Sequence, residues 1–178
     1  MAERHFIKKI VLLGGPVVGK TAVLRRYVSD LFDERYAGTI GTRISKNVTV
    51  LAAEEAGHDY RITNLVWDIK GNLYKKEPRL FDVFLEGAEG ALVMFDSTRE
   101  ETFEEASGSL ARYEQRVGHT PLVFVANKVD AAASREFAER LLNEQAREWK
   151  APCYLTSAKT GEGVETAFKA LSREMLRD

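Results

Sequence analysis

Short apolar runs alternate along this chain with longer stretches in which apolar residues recur every three or four positions. That is the rhythm of strands interleaved with amphipathic helices. Residues 6–13 read as a strand, closed by Gly14-Gly15-Pro16, a combination that breaks regular structure. Residues 20–31 follow as a helix whose apolar stripe is Ala22, Val23, Tyr27 and Val28. The runs 44–52 and 60–68 are joined by a polar loop containing Gly57-His58-Asp59 and predict an antiparallel hairpin. Residues 91–95 and 122–126 are continuously apolar, as strands buried on both faces must be. Length and spacing predict helices over 99–118, 134–149 and 163–176, with a last short strand over 152–155. The expected fold is a three-layer α/β sandwich, with about six mainly parallel strands and about five helices. It fills one domain over 1–178.

The strand over 6–13 and the helix from Lys20 bracket Gly14-Gly15-Pro16-Val17-Val18-Gly19-Lys20-Thr21, which fits G-x-x-x-x-G-K-[ST]. In the strand–loop–helix context this pattern is a phosphate-binding loop. Backbone N–H groups and a helix N-terminus, extending to Ala22, surround the phosphates, so bulk at the glycines is excluded. Lys20 supplies a cation to the β- and γ-phosphates, and the Thr21 hydroxyl ligates Mg²⁺. Pro16 removes one N–H and fixes φ, which leaves the donors from Val17 to Thr21.

A phosphate loop does not choose a base. Asn127-Lys128-Val129-Asp130 follows the apolar run 122–126, at the carboxyl edge of a strand, where ligands of open α/β sheets bind. A carboxylate there accepts two hydrogen bonds from guanine N1–H and its 2-amino group, a pattern adenine does not offer. Asp130 is that reader, the Lys128 stem covers the base, and Asn127 ties this loop to the phosphate loop. Ser157-Ala158-Lys159 after the next strand offers a backbone N–H to guanine O6. GTP or GDP with Mg²⁺ is therefore the expected ligand, and Asp130 argues against an ATPase or a kinase.

From about residue 6 to 176 the chain resembles the Ras superfamily of small GTPases, and most of all its Rab-like branch, with a Ras-like P-loop fold. The resemblance implies that Phe32 packs edge-on against guanine and that Tyr36 lies over the phosphates. It also implies that Thr39, in Thr39-Ile40-Gly41, closes onto Mg²⁺ and the γ-phosphate as switch I. Trp67-Asp68-Ile69-Lys70-Gly71-Asn72 resembles the start of switch II, where Asp68 holds Mg²⁺ through water and the Gly71 N–H contacts the γ-phosphate. Asp96-Ser97-Thr98 also matches the Rab pattern. The implied catalytic set is Asn72, Lys20, Gly71 and Thr39. The implied partners are an effector, an activator and an exchange factor, read through 36–52 and 72–86.

The chain departs from the family at the γ-phosphate. Asn72 stands where a glutamine normally orients the attacking water, and it is shorter by roughly 1.5 Å, a displacement that can cost about a hundredfold in rate. Lys70 replaces a small residue, and the stretch 72–87 runs about two residues longer than usual, with Lys75, Lys76 and Arg79 within it. Slow hydrolysis is expected. The alternative is a pseudo-GTPase that holds nucleotide as a scaffold. Arg35 is a weak candidate for an internal arginine finger.

Composition narrows this picture little. The 178 residues are 44% hydrophobic and 30% charged with a net charge of −1, so no electrostatic signature points to nucleic acid. The single cysteine, Cys153, rules out an intramolecular disulfide and reads as a small buried apolar side chain in a reducing compartment. The four-residue run Ile10-Val11-Leu12-Leu13 is too short for a signal or a membrane span. The residues Arg173 to Asp178 show no prenylation cysteine. A cytoplasmic monomer without a lipid anchor in this chain is expected.

Overall fold

A computed structural model describes residues 3–30, 41–52, 59–131 and 135–177, apart from the side chains of 145 and 146. In chain order the elements are β1 (Glu3–Leu13), α1 (Lys20–Ser29), β2 (Thr42–Leu51), β3 (Asp59–Ile69), α2 (Leu73–Lys76) and α3 (Pro78–Leu85). They continue with β4 (Gly90–Asp96), α4 (Glu101–Val117), β5 (Leu122–Asn127), α5 (Arg135–Trp149), β6 (Cys153–Leu155) and α6 (Val164–Glu174). The six strands form one sheet in the order β2-β3-β1-β4-β5-β6. Only β2 runs antiparallel to its neighbour. The expected hairpin is β2–β3, with Ile44 opposite Trp67 and Leu51 opposite Tyr60. The two short helices α2 and α3 lie where no helix was expected.

The central strands explain the three layers. Every residue of β4 and β5 is buried, and alternate side chains point to opposite faces of a strand. Leu92, Met94, Val123 and Val125 meet Val23 and Leu24 of α1 and Phe168 and Leu171 of α6. Ala91, Val93, Phe95, Phe124 and Ala126 meet α3, α4 and α5 through Phe81, Leu85, Leu110, Tyr113, Leu141 and Leu142. Two cores thus sandwich one sheet. Side chains such as these stabilise by roughly 1.5–3 kcal/mol each on burial. Tyr27 of α1 stacks on Phe168 of α6 with centroids 3.8 Å apart and planes 4° from parallel. No helix among the described residues is long and apolar enough to cross a membrane.

Because β1, β3, β4, β5 and β6 are parallel, their carboxyl ends lie along one edge of the sheet. The segments that follow them are Gly14–Gly19, Lys70–Asn72, Asp96–Thr98, Asn127–Asp130 and Thr156–Lys159. Every described motif of the sequence reading is delivered to that edge.

Candidate functional site

Helix α1 begins without the usual protection. Its N-cap is Gly19 in a left-handed conformation at φ 97°, with no side-chain cap and no acidic residue in the first turn. The orphan N–H groups and the positive end of the helix dipole are therefore left for an anion. Glycine is required here twice over, since a Cβ at Gly19 would overlap the Asn127 amide. Gly14, at φ 140°, lies so close to the Met94 carbonyl that a side chain has no room there either.

Lys20 is 6% exposed. Its ammonium donates to the carbonyls of Gly14 at 3.0 Å and Gly15 at 2.6 Å, which aims it across the mouth of the loop. Burial lowers its pKa to about 8, opposed by the charges of Asp68 and Glu105. Thr21 and Asp68 are buried together, and the Thr21 hydroxyl donates to the Asp68 carboxylate. A hydroxyl and a carboxylate meeting below a phosphate loop form the hard-oxygen donor set that Mg²⁺ takes, with waters and phosphate oxygens completing its shell. The residues present fit that ion.

Switch II starts in contact with the loop. A Cβ at Gly71 would overlap the Gly15–Pro16 peptide, and one at Gly15 would overlap the Glu105 carboxylate reaching in from α4. At Gly71 the neighbour is backbone, so glycine is required there for the two segments to stack. Lys70 is exposed, and its backbone N–H donates to Gly41 at 3.0 Å. Asn72 precedes α2 without capping it by its side chain, and its Oδ1 is buried with no hydrogen-bond partner among the described residues.

The base side of the site is tied to the phosphate side. Asn127 Nδ2 donates to the Val18 carbonyl at 3.0 Å, while its Oδ1 accepts from Thr156 at 3.1 Å and from the Ala158 N–H at 3.3 Å. The link expected of Asn127 is present. Lys128 is also a tie: its ammonium donates to the Val17 carbonyl at 2.8 Å and pairs with Asp96 at 2.6 Å. Burial alone would raise the Asp96 pKa, but hydrogen bonds from Lys128 and Thr98 hold it below its ordinary value. Asp130 is exposed at the rim, with its Oδ1 accepting from Ser157 Oγ at 2.7 Å. That bond holds one oxygen of the rim carboxylate.

Gly14, Gly15, Pro16, Val17, Val18, Gly19, Lys20, Thr21, Ala22, Asp68, Gly71, Asn72, Asn127, Lys128, Asp130, Ser157, Ala158 and Lys159 thus converge on one edge. Phe32, Arg35, Tyr36 and Thr39 lie outside the described residues.

With this geometry in view, the model of the Ras family matches residues 9–177. The chain belongs to the Ras family. Its curated relatives include the Ypt/Rab-type GTPase YPT7 of Saccharomyces cerevisiae, 32% identical over 184 residues, covering 99% of this chain and 85% of the yeast protein. The Ras-related protein Rab-27B of Homo sapiens is 28% identical over 175 residues, covering 95% of this chain and 79% of its own length. The GTP-binding protein yptV5 of Volvox carteri is 28% identical over 188 residues. This Ras-family chain is therefore a small GTPase of the Rab-like branch.

Sequence reading missed several residues that shape the Ras-family site. Asp96 was visible only as part of a pattern, with no hint that it anchors Lys128. Glu105 lies in the second turn of α4, where an exposed acid is the ordinary expectation. Val17 adopts φ 63°, which no motif position announces. Arg26 reads as one more charge on α1, yet it reaches the base loop.

Proposed function

We propose that this chain is a guanine-nucleotide switch that binds GTP and GDP with Mg²⁺ and cleaves GTP slowly to GDP and phosphate. The observation that carries the reading is the meeting at one sheet edge of an uncapped glycine-loop helix and a carboxylate held by Ser157. In this reading Lys20 and the N–H groups from Val17 to Ala22 bind the phosphates. Asp130 reads the guanine N1–H and 2-amino group, and the Ala158 N–H reads O6. Thr21 and Asp68 hold Mg²⁺, joined by Thr39, and the ion when bound neutralises charge on the β- and γ-phosphates. Thr39 and the Gly71 N–H hold the γ-phosphate, and its loss releases both loops, so partners distinguish the two states. Their reading surfaces are 36–52 and 72–86.

In this reading water attacks the γ-phosphorus as the bond to the β-phosphate oxygen breaks, and Asn72 stands in for the side chain that orients that water. Its short reach and its tucked Oδ1 support slow turnover. The same observation favours a second reading, a scaffold that keeps its nucleotide uncleaved. Phosphate release from GTP-loaded protein separates them. Slow release by the wild type, raised about ten- to a hundredfold in Asn72→Gln, is the expected result. Equal rates in the two proteins would remove Asn72 from the mechanism. No release from either, with nucleotide retained, would favour the scaffold.

A further inference from the structure

The loop proposed to read guanine O6 is gripped at two of its carbonyls by a side chain of α1. Arg26 lies in the second turn of α1, seven residues on from the helix N-cap, Gly19, with a side chain 16% exposed. Its Nε donates to the Ala158 carbonyl at 2.8 Å and its Nη2 to the Lys159 carbonyl at 2.7 Å. Its Nη1 donates to the Asp30 carbonyl and carboxylate, both at 3.0 Å. All three guanidinium nitrogens are engaged, in a planar fork that a lysine does not reproduce. Gly161 lies beside the fork at a φ of 89°, and even a Cβ there would meet the Arg26 Cδ and Nε only in ordinary contact.

We infer that Arg26 is a positioning residue for guanine recognition, setting the Ala158–Lys159 peptides so that the Ala158 N–H faces the base. The bonds within the loop explain why an outside brace matters. Ser157 is fixed by Glu162, Gly161 and Thr160. The Ala158 N–H makes only the long 3.3 Å contact to Asn127 Oδ1, beyond the usual N–H···O range. That donor, on the Ser157–Ala158 peptide, is thus held loosely by its acceptor, while Arg26 grips the next peptide along through the Ala158 carbonyl. Arg26 also makes α1 one lever: its first turn surrounds the phosphates and its second fixes the O6 donor. Phosphate and base recognition then share a rigid body.

This inference rests on the guanine reading given above, and the experiment keeps the two apart. Dissociation rates and affinities are measured for GDP, 6-thio-GDP and IDP, with ADP as control, on wild type, Arg26→Ala and Arg26→Lys. 6-Thio-GDP weakens the acceptor at position 6, whereas IDP lacks the 2-amino group that Asp130 reads. In Arg26→Ala, GDP dissociation is expected to rise about tenfold or more, since two charge-assisted bonds to the loop are lost. The preference of GDP over 6-thio-GDP should collapse while the preference over IDP survives. Arg26→Lys, which keeps the charge but not the fork, should lie between and covers the case in which the alanine variant does not fold.

Unchanged GDP dissociation and unchanged selectivity in both variants would overturn the assignment. So would an equal loss of both selectivities, which is what general loosening produces. A wild type that does not prefer GDP to ADP would instead overturn the guanine reading itself.

Discussion

Val17 carries the clearest local strain near the phosphates. It is a β-branched residue at φ 63°, exposed at the loop tip, and its carbonyl accepts from Lys128 at 2.8 Å. A left-handed conformation costs an L-residue about 1–2 kcal/mol, more readily tolerated by glycine than by valine. Lys128 and the Val18–Asn127 bond hold the turn in place against that cost. Val17→Gly should therefore stabilise the nucleotide-free protein, less about 0.4–1 kcal/mol for the freer unfolded chain. The expected net gain is about 0.5–1 kcal/mol, read as a melting temperature raised by about 2 °C. A lower melting temperature would mean that the valine side chain contributes more than its backbone costs. At the same scale, Cys153 is half-buried, and burial pushes its thiol up to about 11. It packs against one of the two cores, though less fully buried than the sequence reading expected.

Among the elements, α4 does the least expected work. Tyr74 of α2 lies over Gly108, where even a Cβ would press on the ring. Arg112 makes a bidentate pair with Asp82 of α3 at 2.7 and 2.5 Å, and Arg116 pairs with Glu86 at 2.8 Å. Phe81 and Leu85 are buried behind them. The segment after Asn72 is thus clasped along one face of α4, and Glu105 on that face touches the phosphate loop. Arg112→Ala should speed hydrogen exchange in α2 and α3 while leaving β4 and β5 protected, because the clasp is local. Exchange unchanged over 73–85 would show that the buried aromatics alone hold the segment. The strands β4 and β5 were legible in the sequence because strands buried on both faces must be continuously apolar. Helices α2 and α3 were not. Lys75, Lys76 and Pro78 break the apolar period, and the charge pairs that hold these helices join residues thirty positions apart.

Across the whole molecule, a buried polar knot fastens one face of the sheet. Asn64 of β3 is fully buried, and its two Nδ2 hydrogens are shared among Tyr27 at 3.0 Å, Thr49 at 3.2 Å and Ser172 at 3.1 Å. It joins α1, β2 and α6, and Tyr27 and Thr49 bond to each other at 2.6 Å. Alternation placed Asn64 on a strand, but nothing local indicates that its partners come from elements this far apart. Asn64→Ala leaves several buried groups short of a partner and should cost about 1–3 kcal/mol. Urea unfolding should show a lower midpoint with the same slope. The site itself was more legible than the knot, because phosphate and base recognition need fixed residue types at fixed spacings. What spacing does not carry is the set of ties, Asp96 to Lys128 and Arg26 to Ala158, that arise only once the strands are side by side.

The strand order sets a timetable for the chain as it is made. The phosphate loop follows the first strand, yet that strand gains its neighbours only with β3 and β4, and the ties from Asn127 and Lys128 come only after β5. The base reader waits longer still, for Ser157 and the loop that Arg26 holds. A growing polypeptide thus carries its most recognisable motif from early on, while the ties that shape the site cannot all form until β6 has emerged. On the function proposed above, nucleotide capture waits for the segment that follows β6.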